Sequence, residues 1–315
     1  MAQASFLRLG NSLGPVERDS SREFSTQPCS WSSLLSDPTI PNPTPRACSP
    51  GSDDRTILNQ SAAEAVHTIR RSEVWGGARN VDQDVDLDIC TSGLTGSVYS
   101  KASDGDAGGD IYFLSVCGED KLTRFVVADV RGHGGFVKEL TKCVYECFQE
   151  YMHTLDGGQA LAELNTRVSS YGFDAITTAA LAGFRLSDSK LCFAYAGHPP
   201  MLLKRAMAKR WIPLVLNISN DRSNLPLGVL PETRYDQEEM HLVSGDRLML
   251  YTDGVVECSD ANGVEFGVGR LLSSLEASGD RSLAEIKLSV VNELRCYSAN
   301  WPSEDDVTLM AFEVR

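Results

Sequence analysis

The chain has no C-x-x-C pair, no apolar run near the ~18 residues of a membrane span and no surplus of basic residues. Lys and Arg total 29 against 43 Asp and Glu, a net charge of −14 with His neutral. An acidic balance of that size leaves no broad counter-surface for nucleic-acid phosphates or anionic lipid, so neither is expected as a partner. Nine cysteines is an odd count, and their spacing builds neither a zinc site nor a disulfide framework. Cys143 and Cys147 lie four apart in a helical stretch and read as small core residues of one face. A reducing, cytoplasmic setting fits this usage. The first residues lack the charged start and apolar stretch of a signal peptide.

What is present divides the chain. Residues 1–55 are rich in Ser, Pro, Thr and Asn without sustained periodicity. They bury too little to offset their ordering entropy and read as a disordered leader. Residues 56–80 read as a linker, and "DRTILNQSAAEAVHTIRR" (54–71) has the pattern of a short amphipathic helix. From 81 to 315 the pattern is that of a folded domain. In "VDQDVDLDIC" Val85, Leu87 and Ile89 alternate with Asp84, Asp86 and Asp88, which predicts a strand with its aspartates on a solvent face. A calcium loop is the competing reading of that stretch, and it lacks the glycine and distal glutamate such a loop needs. Further strands are predicted at 95–101, 109–117, 122–130, in a hairpin over 176–197, and at 201–205, 246–253 and 306–314. Helices are predicted over 136–151, 158–170, 266–276 and 281–298, and 205–235 reads as irregular. Strands in hairpins followed by runs of helices give an α+β class with antiparallel sheets.

One chemical idea recurs at four places. Asp110 follows two glycines at a strand start, Asp129 ends the strand of "FVVADVRGHGG", Asp253 ends another before a glycine, and Asp305 and Asp306 open the last strand. Carboxylates at strand ends beside small residues are the oxygen donors that hard divalent cations take. Each aspartate alone is better read as a turn or cap residue. Their joint arrangement favours a metal site.

The stretches "GGD", "ADVRGHG", "AGHPPMLL", "LPLGV", "SGDRLMLYTDGVVE", "FGVGRL" and "DDVTLMAFEV" occur in the order of the metal-dependent protein phosphatases (type 2C, or PPM). The chain resembles their SpoIIE-like bacterial branch most, over roughly 85–315. The resemblance implies a four-layer α-β-β-α sandwich of two antiparallel sheets flanked by helices. It further implies hydrolysis of phosphoserine or phosphothreonine, with two divalent cations, Mn²⁺ or Mg²⁺, activating a water. Matched motif by motif, Asp110, Asp129, the Val130 carbonyl, Asp253 and Asp305 would hold the cations, with Asp306 the alternative to Asp305. The implied substrate is a regulatory phosphoprotein such as an anti-sigma-factor antagonist, opposed by a kinase.

The residues themselves add three points. No cysteine precedes an arginine at C-x₅-R spacing and no D-x-D-x-[TV] motif occurs, so no covalent phosphoenzyme is expected. Arg131 is placed to grip a phosphoryl group, or else is a solvent-facing loop residue. His133 reads as a hydrogen-bonded loop residue before a general acid, and His198 as a turn residue set by Pro199 and Pro200. The sequence departs from the branch in "GFVKEL" after "GHG" and in "DAITTAAL". The rival reading is a catalytically silent module of the same fold that binds a phosphoprotein or a kinase.

Overall fold

The computed structural model describes residues 66–68, 73–77 and 85–315, the last apart from 104–107, 117–120, 132–134, 152–154, 173–174, 218–222, 300 and 302–304. The leader and most of the linker therefore lie outside the described residues. One sheet runs in the order β1 (Val66–Thr68), β3 (Val85–Cys90), β4 (Leu94–Lys101), β13 (Val307–Val314), β12 (Arg247–Tyr251), β9 (Leu202–Lys204) and β10 (Ile212–Pro213). The other runs β11 (Gln237–His241), β8 (Lys190–Ala196), β7 (Thr177–Arg185), β6 (Leu122–Val130), β5 (Asp110–Val116) and β2 (Glu73–Gly77). Neighbours pair antiparallel, except that β1 lies parallel to β3.

Period-two alternation sorts the side chains of each strand into two layers. On β6, Phe125 and Val127 enter the core between the sheets, while Val126, Ala128 and Val130 face outward. On β13, Met310 and Phe312 point inward, and Leu309 and Ala311 outward. The rings of Phe125 and Phe312 meet across the two sheets with centroids 4.3 Å apart. Helices α1 (Gly135–Glu150) and α2 (Gly157–Ser169) cover the second sheet; α3 (Asp253–Glu257), α4 (Gly267–Ser278) and α5 (Leu283–Tyr297) cover the first. The α1 stripe is Val137, Leu140, Val144, Cys147 and Phe148, as its spacing requires, and Cys147 is a core residue beside half-buried Cys143. Helix α2 begins where Asp156 accepts from the Gln159 amide, and α5 begins in a capping box between Ser282 and Glu285. The result is the α-β-β-α sandwich, and it satisfies the α+β expectation.

Two expectations are corrected. Within the stretch expected as a short helix (54–71), Val66–Thr68 form a strand on the edge of β3. An isolated helix of that length is marginal in water, whereas an open sheet edge supplies backbone partners at once. The aspartate face of β3 is not simply solvated. Asp86 bonds the ammonium of Lys287, a residue of α5 that is itself only 1% exposed, and Asp88 accepts from Ser97 Oγ at 2.6 Å. Lys287 of α5 thus reaches that face, where Asp86 is ion-paired and Asp88 is held by a hydroxyl. Asp84 lies outside the described residues. The described residues over 205–235 are irregular as expected, apart from the two-residue β10 and isolated bridges from Leu227 to Thr177 and from Ser223 to Arg234.

Candidate metal centre

The inward register that builds the inter-sheet core turns polar at one end of the sandwich. Asp110 continues the line of Tyr112 and Leu114 on β5, and Asp129 that of Phe125 and Val127 on β6. The two aspartates are direct cross-strand neighbours. From the opposite sheet, Ser100, Thr252, Asp306 and Thr308 continue the inward positions of Val98, Leu250 and Met310. Apolar alternation therefore carries polar side chains to the same level from both sheets, and the start of α3 and the segment before β13 bring Asp253 and Asp305 beside them. Both Asp110 and Asp306 are buried, Asp129 and Asp253 are half-buried, and Asp305 is exposed at the rim.

The glycines of the motifs are there because the packing leaves no room for a side chain. A Cβ at Gly108 would stand 1.8 Å from Asp306 Oδ2; one at Gly109 would stand 2.1 Å from the Val130 carbonyl oxygen and 3.0 Å from Asp129 Oδ1. One at Gly254 would stand 2.0 Å from the Asp306 carbonyl oxygen. Backbone thus closes on the carboxylates from two directions. Val130 donates its N–H to the Gly109 carbonyl at 3.0 Å, and Arg131 donates to the Ile176 carbonyl at 3.0 Å. The Asp306 carboxylate accepts from the Ser103 amide at 2.8 Å and the Asp110 amide at 3.2 Å, so its oxygens are already engaged by backbone. Asp305 caps the Asp306 amide at 2.8 Å, and Asp253 accepts from the Gly254 amide at 3.0 Å.

Burial and mutual repulsion disfavour negative charge here. Burial, reinforced by Asp253, Asp305, Asp306 and Glu257, pushes the Asp129 carboxyl up to about 8. Asp110 is raised well above the usual carboxylate range by burial and then by Asp129 and Asp306, against the opposing bonds of the Thr308 and Thr252 hydroxyls. Asp253, Glu257 and Asp305 are raised as well, burial being the leading cause for each. Such a cluster calls for positive charge. Among the described residues, no three His, Cys, Asp or Glu side chains stand close enough together to hold one ion. The donor set is nonetheless all oxygen, drawn from both sheets and bordered by backbone, which fits Mg²⁺ or Mn²⁺ retaining several waters.

Asp110, Asp129, Val130, Asp253, Asp305 and Asp306 therefore lie at one end of the sandwich. The Arg131 side chain is exposed beside them, and His133 lies outside the described residues. His198 lies in the connection between β8 and β9, as expected of a turn residue. It is buried, with Nδ1 2.9 Å from Thr178 Oγ1 and Nε2 3.1 Å from the Tyr251 carbonyl oxygen, and burial holds its pKa down to about 4. It ties β7 to the end of β12, and with its pKa held down the ring is neutral: Nε2–H donates to the Tyr251 carbonyl, which leaves Nδ1 to accept from the Thr178 hydroxyl. Sequence reasoning missed Ser100, Thr178, Thr252 and Thr308. Their signal was parity with the apolar inward positions of their own strands.

Comparison with known proteins adds to this geometry. The family described as stage II sporulation protein E (SpoIIE) matches residues 119–315, more than half of the sequence. The chain belongs to the SpoIIE family. Phosphoserine phosphatase RsbU of Bacillus subtilis (strain 168) is 27% identical over 172 residues, which are 53% of this chain and 47% of RsbU. The chain thus spans about half the length of that curated relative. Among solved structures, the SiaA-PP2C domain of Pseudomonas aeruginosa matches with a TM-score of 0.60 at 21% identity, over 69% of this chain and 85% of that one. RsbX, solved in complex with magnesium, matches with a TM-score of 0.56 at 18% identity, over 73% of this chain and all (100%) of RsbX. These likenesses show that the fold is that of PP2C phosphatase domains.

Proposed function

We propose that this SpoIIE-family domain is a divalent-metal-dependent protein phosphatase that hydrolyses phosphoserine or phosphothreonine on a regulatory phosphoprotein. The observation that carries the reading is the nearness of Asp129, on one sheet, to Asp253 and Asp305, which flank strands of the other: burial raises all three carboxyls, and the charges of Asp253 and Asp305 raise Asp129 further. A protein gains nothing in stability from such a cluster, and a bound cation relieves it. When bound, a pair of Mn²⁺ or Mg²⁺ ions would supply an activated water and neutralise phosphoryl oxygens. Asp129, Asp253, Asp305 and the Val130 carbonyl would hold the ions. Asp110 would act from the buried floor, and Asp306, whose carboxylate already accepts from two backbone amides, ranks behind Asp305 as a ligand.

An anti-sigma-factor antagonist opposed by a kinase, in the cytoplasm, is the substrate class and setting we favour, in line with the name phosphoserine phosphatase carried by RsbU. No helix among the described residues is long and apolar enough to cross a membrane. The second reading, a silent module that binds a phosphoprotein or kinase, draws on the spread of the carboxylates, no three of which converge on a point among the described residues. Turnover separates the two. The full chain is expected to hydrolyse p-nitrophenyl phosphate and a phosphoserine peptide with added Mn²⁺, and to do neither after chelation; no turnover at millimolar Mn²⁺ would leave the silent module standing.

Arg131 gives a finer test. Its side chain is exposed two residues after Asp129, and its planar fork could bond two oxygens of a doubly charged phosphoryl group approaching an acidic protein. Arg131→Ala is expected to raise KM for a phosphoserine peptide by about tenfold, the scale of one charge-assisted hydrogen bond, and to lower kcat by less. Arg131→Lys should recover part of the loss. Unchanged kinetics would make Arg131 an ordinary surface residue.

A further inference from the structure

We propose that the Thr252 hydroxyl is a positioning group that fixes the gap between the two sheets where the candidate carboxylates face one another; the inference rests on the metal-dependent reading above. Asp110 and Asp129 belong to β5 and β6 of one sheet, whereas Asp253 follows β12 and Asp305 precedes β13 of the other. The separation of the two halves is therefore set by how the sheets pack at this end, not by any one loop.

Thr252 spans that gap. Its Oγ1 donates to Asp110 Oδ2 at 2.8 Å and accepts from the Thr308 amide at 3.0 Å, while its own amide donates to the Thr308 carbonyl at 3.1 Å. The Thr308 hydroxyl bonds the same Asp110 carboxyl, and Ser100 Oγ backs it at 2.9 Å. Thr252 and Thr308 are 0% exposed, and Ser100 and Asp110 1%. A buried hydroxyl whose donor and acceptor are both used has one orientation, and both of its partners depend on it. Valine at 252 would keep the shape but leave Asp110 Oδ2 without this donor and the Thr308 amide without this acceptor. The link from β12 to β5 would be lost one residue before Asp253. A threonine with only a structural role would lower the melting temperature on replacement without changing what the carboxylates bind.

The test is Mn²⁺ titration calorimetry on the full chain, with the metal-free melting temperature measured alongside. Thr252→Val is expected to weaken the Mn²⁺ Kd by about 10–100-fold, the range for groups that orient metal ligands, whereas Thr252→Ser should stay within about threefold of wild type. Turnover by Thr252→Val should remain low at saturating Mn²⁺. Equal Mn²⁺ affinity in wild type and Thr252→Val, with or without a change in melting temperature, overturns the proposal. A wild-type chain that binds no Mn²⁺ overturns the metal-dependent reading and this inference with it, a result distinct from equal binding. If Thr252→Val does not fold, Thr308→Val removes the second hydroxyl on Asp110: at least threefold weaker Mn²⁺ binding supports the proposal, and unchanged binding overturns it.

Discussion

Asp129→Asn is expected to lower kcat on a phosphoserine peptide by at least ~10²-fold, the scale on which one preorganised electrostatic group acts, while raising the melting temperature of the metal-free protein. The two effects share a cause. Asp129 sits between the sheets facing Asp253, Asp305, Asp306 and Glu257, and burial together with those charges raises its carboxyl to about 8. In the unfolded chain the same carboxyl titrates near ~3.9. Its folded pKa is the higher one, so between those values the folded state carries the extra proton. The stability of the metal-free protein must then fall as pH rises from about 4 to about 8, and level off above that. Asparagine keeps the shape, carries no charge and removes this slope. The melting-temperature advantage of the variant should therefore grow from pH 5 to pH 8, read by calorimetry in chelator. Near wild-type turnover at saturating Mn²⁺ would remove Asp129 from the site, and a variant several degrees less stable at pH 8 would contradict the electrostatic account.

The parts of the fold legible in the sequence are those where one face is apolar. The strands β5, β6, β12 and β13 and the helices α1, α2, α4 and α5 bury a stripe each, and their boundaries fall within a few residues of the periodicity. Strand β11, "QEEMH", has no such face. Its residues alternate between exposed and half-buried at the sheet edge, and its backbone pairing with β8 holds it there. Helix α3 is little more than one turn beginning at Asp253, too short for a period to register. β1 and β2 are edge strands, placed by pairing with β3 and β5.

The site divides in the same way. Its carboxylates stand out only jointly, as acids beside small residues recurring at four strand ends, and the glycine clefts give the physical reason. The threonines and serine behind them look like ordinary strand residues. Only the inward parity of each strand marks them, and parity becomes meaningful once the opposing sheet is known. Lys287 and Asp86 are about two hundred residues apart (287 − 86 = 201), so no local pattern joins them. Long-range polar pairs of this kind are fixed by the packing of elements and leave no trace in spacing.

Removal and return of the metal should show that the cluster takes up cations at the expense of protons. With Asp129 raised to about 8, and Asp110, Asp253 and Asp305 raised as well, the metal-free site holds at least one proton at neutral pH. A carboxylate must be ionised to bind a cation, so binding has to expel that proton. Apparent Mn²⁺ affinity is then expected to tighten by about tenfold per pH unit from about 6 to about 8 and to flatten above, for one proton displaced. Calorimetry at pH 7 in two buffers of different ionisation enthalpy should report the release of about one proton per site filled. The same coupling governs stability. Saturating Mn²⁺ should raise the melting temperature, since binding to the folded state alone stabilises it by mass action, and the rise should be larger at pH 8 than at pH 6. Activity should vanish in chelator and return with Mn²⁺ or Mg²⁺. Affinity independent of pH across 6 to 8, with no proton released, would mean that the cations bind elsewhere than among these carboxylates. An Asp129→Asn chain that still binds Mn²⁺ should release fewer protons than wild type, because the most strongly raised of the half-buried carboxyls is gone.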